Sequence, residues 1–222
     1  MNRNINSEKD ILLIGAGGHA KVIIDALRSN KQSFNIIGIV DKNESKLGKN
    51  ILGVTVLGSD DILRELYGYG LRKVFISLGM IKDFRIRENI YTMLKDIKFE
   101  CINIFHNKSI ISDWAVLGEG NAVLAGAIIN AEAKIGNNCI INSGSIIEHE
   151  CIIGNNVHIA PGACVSGQSI IENNCMVGAG STIIQGIRIG ANAIIGAGSV
   201  VIRDIPPNSI AVGVPAKVIK AG

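Results

Sequence analysis

The sequence predicts two architectures in series: a Rossmann-like α/β half over residues 1–107 and an all-β parallel β-helix over residues 108–222. Two observations carry this reading. Strand and helix patterns alternate around a glycine-rich turn in the first hundred residues, and beyond residue 108 an aliphatic residue recurs at every sixth position. A third agrees with them. Aromatic residues make up only 4% of the chain while glycine reaches 26 of 222 residues, so Ile, Val, Leu and Ala must fill the interior of a backbone that turns often.

In the first half, the apolar run Ile11-Leu12-Leu13-Ile14 leads into Gly15-Ala16-Gly17-Gly18-His19-Ala20 and then an amphipathic stretch through Arg28. That order reads as strand, tight turn, helix. A second strand is expected over Ile36 to Val40, ending at Asp41, with later strands at Val54 to Leu57 and Lys73 to Leu78. Helices are expected over Asp60 to Leu66 and Asp83 to Lys95. Alternating strands and helices build a parallel sheet whose ligand crevice lies at the strands' C-terminal ends. About a hundred residues suffice for one mononucleotide-sized unit, not for a full dinucleotide domain.

In the second half, stepping by six from Ile111 to Val201 meets Ile, Leu or Val at every stop. A helix would repeat at three and four and a strand at two, so the step of six requires a coil with flat sides. Two positions before most stops stands a small residue, such as Ala127, Ala133, Cys139, Ser145, Cys151 or Cys175, which should stack inside the coil. Gly follows many stops, as at Gly118, Gly136, Gly154, Gly178, Gly190 and Gly196, where positive φ would suit a corner.

Composition excludes several function classes. A net charge of +3 without a basic block gives no nucleic-acid footprint. No apolar run approaches the roughly 18–20 residues of a membrane span, and Met1 to Asp10 is too polar for a signal peptide, so a cytoplasmic protein without membrane insertion is expected. The five cysteines form no CxxC pair and have no His at zinc-finger spacing, so neither a metal site nor a disulfide framework is expected.

The six-residue repeat resembles that of the hexapeptide acyltransferases, which implies three sides per coil, an eighteen-residue turn and a left-handed β-helix. Gly-Ala-Gly-Gly-His at the start, Ile-Ile-Glu-His-Glu-Cys in the middle and Ala-Val-Gly-Val-Pro-Ala-Lys at the end narrow the likeness. Together they resemble the bacterial nucleotide-sugar N-acetyltransferases and sialic acid O-acetyltransferases. The resemblance implies acetyl-CoA as co-substrate, a nucleotide-linked amino sugar as acceptor and a homotrimer with active sites at the subunit interfaces.

Acetyl transfer from a thioester needs a base for the acceptor's proton and donors for the developing oxyanion. His149 in Glu148-His149-Glu150 is the candidate base, since a neighbouring carboxylate makes an imidazole a better base and fixes its tautomer. The resemblance singles out Glu150 as that partner. It also assigns His158, Ala179 and Ala197 to the coenzyme, offers the Gly167 N–H as a candidate oxyanion donor, and leaves Lys217 as either a phosphate contact or a solvated charge. His149 and His158 are nine residues apart, half a coil, so one chain should present them on opposite sides. A site using both would draw on two subunits.

The glycine turn matches GxGxxG/A after a strand, and a helix N-terminus there suits a diphosphate. The resemblance places the nucleotide at Gly17, Gly18, His19, Asp41, Lys42 and Gly79. Lys42 stands where some relatives carry an acid and Met80 where many carry a polar residue, so base and sugar stay open. The leading reading is N-acetylation of an amino deoxy sugar at C4 for a surface glycan. O-acetylation of a sialic acid or related sugar, a non-catalytic nucleotide-binding trimer and an NAD enzyme with a β-helix appendage are the alternatives.

Overall fold

The computed structural model describes residues 5–29, 34–79 and 84–220. Its first half is a six-stranded sheet. The strands are β1 (Asp10–Ile14), β2 (Asn35–Val40), β3 (Asn50–Ile51), β4 (Val54–Gly58), β5 (Lys73–Ile76) and β6 (Glu100–Cys101). They lie in the order β3-β4-β2-β1-β5-β6, parallel apart from the β3–β4 pair. Helix α1 (Gly18–Ser29) follows β1, α2 (Leu63–Gly68) continues a short 3₁₀ turn at Asp60–Ile62, and α3 (Phe84–Ile97) precedes β6. α1 forms because Ala20, Ile23, Ile24 and Leu27 fall at helical spacing and all bury, while Arg28 meets the negative end of the helix dipole. Because β2 and β5 flank β1, the order of connection reverses beside β1, and the glycine turn sits at that switch point.

From Ile104 onward the chain winds into a three-sided coil of two-residue strands. The first face begins at Ile104–Phe105, the second at Ile110–Ile111 and the third at Val116–Leu117. Register is parallel and advances by eighteen: Ile128 pairs with Ile146, then Cys164, Thr182 and Val200. The aliphatic ladder from Val123 to Val201 is buried in one continuous cluster, together with Ala127, Ala133, Cys139, Cys151, Ala163, Cys175 and Ala193. Each aliphatic rung contributes roughly 1.5–3 kcal/mol of transfer free energy. Burial raises the Cys139 and Cys175 thiols to about 12, which makes them packing groups rather than nucleophiles. A hairpin, Ile210–Gly213 with Ala216–Lys220, caps the coil after Pro206-Pro207, and Lys217 on it is exposed.

The corner glycines correct one expectation. Positive φ falls three residues after the aliphatic stops from Leu117 to Ile195, at Gly120, Gly126, Glu132, Asn138, Gly144, Glu150 and onward in steps of six to Gly198, and not at Gly118, Gly136, Gly154, Gly178, Gly190 or Gly196. Those glycines answer to space. A Cβ on Gly178 would lie 2.5 Å from the Ala197 nitrogen, and one on Gly136 would lie 2.6 Å from Asn155 Oδ1 and 2.7 Å from the Gly154 backbone. Asparagines fill the same corner: the Asn137 N–H donates to Asn155 Oδ1 (2.8 Å) and the Asn155 N–H to Asn173 Oδ1 (2.7 Å), satisfying backbone donors that a two-residue strand leaves over.

The two halves are packed together. Ile102, Ile104, Ala122 and Leu124 share a core with Ile11, Leu13, Ile23 and Phe75, so the sheet domain rests on the first face of the coil. Tyr91 Oη donates to Glu119 Oε1 at 2.6 Å, and Lys95 pairs with the same carboxylate at 2.7 Å.

Candidate active site

His149 and Glu150 occupy the second edge of the coil, in the turn between Ile146–Ile147 and Ile152–Ile153. Glu150 has φ +59, a left-handed conformation that costs about 1 kcal/mol in a non-glycine residue, and its carboxylate meets the preceding imidazole. His149 Nδ1 lies 3.0 Å from Glu150 Oε2, which also accepts from Gln168 Nε2 at 3.1 Å. These two bonds, His149 first, hold the Glu150 carboxyl below its ordinary range, so it is ionised and can only accept. In the neutral ring this favours the tautomer with the proton on Nδ1 and the lone pair on Nε2. Gly167 stands one coil further along, and a Cβ on it would lie 2.6 Å from Nε2. Both side chains are half exposed. A cavity of about 350 Å³ lined by Trp114, Val116, Glu132, Lys134 and Ile152 opens beside Glu150.

His158, Ala179 and Ala197 form a separate group. His158 lies in the first face between Ile140 and Met176. It is buried beneath the sheet domain at 6% exposure, with Nε2 3.1 Å from Asn142 Nδ2. Ala179 and Ala197 are exposed on the first edge, where the first face turns into the second, and there the Gly198 N–H donates to the Ala179 carbonyl at 2.8 Å. Within one chain, His149 and Glu150 are thus on the edge opposite the face that holds His158.

The glycine turn makes the third group. Gly15 has φ +105 and packs so closely that a Cβ would lie 2.5 Å from the Leu78 side chain. Gly17 and Gly18 face open space, and a Cβ on either would meet nothing within 4 Å. Asp41 accepts from the Ala16 N–H (2.7 Å), the Asn43 N–H (2.9 Å) and Lys46 Nζ (2.8 Å). Burial opposes its ionisation, yet these bonds outweigh it and hold the carboxyl below its usual range. Asp41 thereby ties the glycine turn to the end of β2. Lys42 is exposed and pairs with Asp60 at 3.6 Å across a cavity of about 200 Å³ floored by Ile14, Val40 and Leu78. Gly79 abuts His19, where a Cβ on the glycine would lie 3.7 Å from the histidine Cβ. Burial, then the charges of Arg87 and His158, pull the His19 imidazole down to about 3, and its Nε2 is buried without a hydrogen-bond partner among the described residues. Met80 lies outside the described residues.

His19 and His158 are brought near one another although 139 positions separate them in sequence, which no local pattern announces. Asn142, Gln168, Ser77 and Arg87 were not singled out by sequence reasoning. For Gln168 a signal existed, since adding eighteen to Glu150 gives its position.

Three family descriptions match the chain: the PglD N-terminal domain over residues 10–94, the bacterial transferase hexapeptide (six repeats) over 132–167 and the hexapeptide repeat of succinyl-transferase over 168–203. Among solved structures, PerB from Caulobacter crescentus, crystallised with CoA and GDP-perosamine, is 37% identical with a TM-score of 0.88, covering 95% of this chain and 97% of that one. The acetyltransferase domain of PglB from Neisseria gonorrhoeae is 28% identical with a TM-score of 0.85, covering 95% and 100%, and has also been crystallised with acetyl coenzyme A. WeeI from Acinetobacter baumannii is 25% identical with a TM-score of 0.82, covering 95% and 100%. An uncharacterized protein of Acanthamoeba polyphaga mimivirus is 34% identical over 124 residues, and the match spans 23% of that protein's length. The likeness to PerB, PglB and WeeI runs through both the sheet domain with its glycine turn and the coil of eighteen-residue rungs, and the chain belongs to the hexapeptide-repeat nucleotide-sugar N-acetyltransferases that carry a PglD-type N-terminal domain.

Proposed function

We propose that the protein transfers the acetyl group of acetyl-CoA to the amine of a nucleotide-diphosphate-linked amino sugar, at C4 of a deoxy sugar destined for a surface glycan. The observation that carries this reading is the His149–Glu150 pair, whose geometry leaves Nε2 as an available base beside a bare glycine backbone. His149 Nε2 takes the proton of the attacking amine as the C–N bond forms at the thioester carbonyl. Glu150 holds the ring and balances the imidazolium, and the Gly167 N–H faces the developing oxyanion. When the C–S bond breaks, the imidazolium returns its proton to the departing thiolate, and the base is restored.

The acceptor's nucleotide is assigned to the surface of Gly17, Gly18, His19, Asp41, Lys42 and Gly79, and the coenzyme to the first edge at His158, Ala179 and Ala197. Because these lie across the coil from His149, a complete site takes one edge from each of two subunits, and a closed ring of three provides three such seams. The ligands of the relatives, GDP-perosamine, CoA and acetyl coenzyme A, are of the chemical classes this reading requires.

The deciding experiment incubates the protein with acetyl-CoA and a panel of UDP-, GDP- and dTDP-linked amino sugars, following thiol release and product mass beside His149→Ala. Acetylated product that disappears in the variant supports the reading and names the substrate. Coenzyme binding without turnover on any amine shifts the assignment to a hydroxyl acceptor.

A further inference from the structure

Arg87 lies on the apolar stripe of α3. In the row Arg87, Ile90, Leu94, Ile97, successive steps of three, four and three residues point all four side chains the same way. It is 1% exposed. Burying a guanidinium without a counter-charge costs several kcal/mol, and no carboxylate among the described residues pairs with it. Its Nη1 donates instead to the carbonyls of Ile76 (2.6 Å) and Leu78 (2.8 Å), and its Nε to the carbonyl of Asn138 in the coil (3.4 Å). Nη2 has no hydrogen-bond partner among the described residues.

These bonds decide which backbone groups the crevice presents. Every buried carbonyl needs a donor, and at the C-terminal edge of the sheet two side chains supply them from behind. Arg87 takes Ile76 and Leu78. Ser77 Oγ takes the carbonyl of Gly15 at 2.6 Å and contacts that of Ile14 at 3.1 Å. The oxygens that would repel an anion are thereby turned into the protein, while Gly17 and Gly18 remain open on the outer side. Arg87 also makes itself felt across this gap, since its charge is among the causes that keep His19 neutral.

We infer that Arg87 is a positioning residue for the substrate's diphosphate: it turns the carbonyls at the end of β5 away from the anion and stands behind the glycine turn as a buried charge that no carboxylate among the described residues balances. Ser77 does the same for the Gly15 carbonyl. This rests on the nucleotide-sugar reading above, and the test separates the two. Calorimetry on the full chain measures whichever of GDP, UDP and dTDP the wild type binds, the matching nucleoside, and acetyl-CoA. Arg87→Met is expected to weaken the diphosphate by roughly tenfold or more, while nucleoside and acetyl-CoA affinities change less than about twofold. Arg87→Lys, which keeps the charge and loses the fork, falls between. Equal losses for diphosphate and nucleoside, or no loss for either, overturn the assignment. If Arg87→Met does not fold, Ser77→Ala carries the same comparison: a selective loss of the diphosphate supports the assignment and an unselective one overturns it. A wild type that binds none of the three nucleotides refutes the nucleotide-sugar reading itself.

Discussion

Gly167 stands one coil beyond His149, so near that a Cβ there would lie 2.6 Å from the imidazole Nε2. Its φ is not in the left-handed region, so the requirement for glycine is one of space beside the ring. Gly167→Ala is expected to push the imidazole from its place against Glu150 and lower kcat by roughly 10²-fold. Stability should change by less than about 1 kcal/mol, because His149 is half exposed and can swing outward. Steady-state kinetics beside a urea titration check both statements, and an unchanged kcat would mean that the ring's present pose is not the working one.

The two glycine classes of the coil should respond differently to a methyl group. Gly178→Ala sets a Cβ against backbone atoms of the next rung, 2.5 Å from the Ala197 nitrogen and 2.6 Å from the Gly196 carbonyl carbon, neither of which can move alone. A loss of about 2–3 kcal/mol is expected. Gly162→Ala meets open space but has φ +67, so only the left-handed strain of about 1 kcal/mol applies. Denaturant midpoints of the two variants rank the two costs, and a larger loss at Gly162 would reverse the explanation given for the corners.

The interior of the coil could be read from the sequence because a six-residue period leaves no alternative face. Ile135, Ile153 and Ile171 bury because the residues around them have nowhere else to put an aliphatic chain. The reason for Gly136 and Gly178 could not be read, since crowding between rungs depends on axial spacing rather than on local φ preference. At the site, His149 with Glu150 was readable as neighbours in sequence. The burial of His158 was not, because it is brought close to His19, 139 positions earlier in the chain. Arg87 left a signal that went unused: a charge in phase with Ile90, Leu94 and Ile97 belongs to the buried stripe of its helix.

His19 gives the protein a specific acid sensitivity. Its folded-state pKa of about 3 lies below the ordinary 6.5, so above 6.5 the ring is neutral in both states and contributes no pH dependence. As pH falls from 6.5 toward 3, the unfolded chain binds a proton that the folded one refuses, and stability is lost with a slope approaching ~1.4 kcal/mol per pH unit. Asp41 and Glu150, both held below the ordinary carboxylate range, add losses of the same sign once the pH falls through that range. His19→Gln should flatten the urea midpoint between about pH 6.5 and 5 relative to the wild type. Parallel pH dependence in the two proteins would show that His19 is protonated in the folded state.

A seam-sharing site makes a prediction about mixtures. His149→Ala removes the base from the second edge. Gly17→Asp places a carboxylate on a position whose Cβ meets nothing within 4 Å, where it repels a diphosphate. Each variant alone should be inactive. If the base and the glycine turn of one working site belong to different subunits, a mixed assembly contains seams in which His149 comes from one variant and the intact turn from the other. Random pairing at equal input leaves every mixed ring of three with one complete seam in three, so co-expressed and doubly tagged protein should recover about a third of wild-type activity. Assemblies mixed only after each variant has been purified recover less if subunits exchange slowly, which a time course reveals. Activity absent from the doubly tagged fraction would place both groups in one subunit's site and overturn the shared seam.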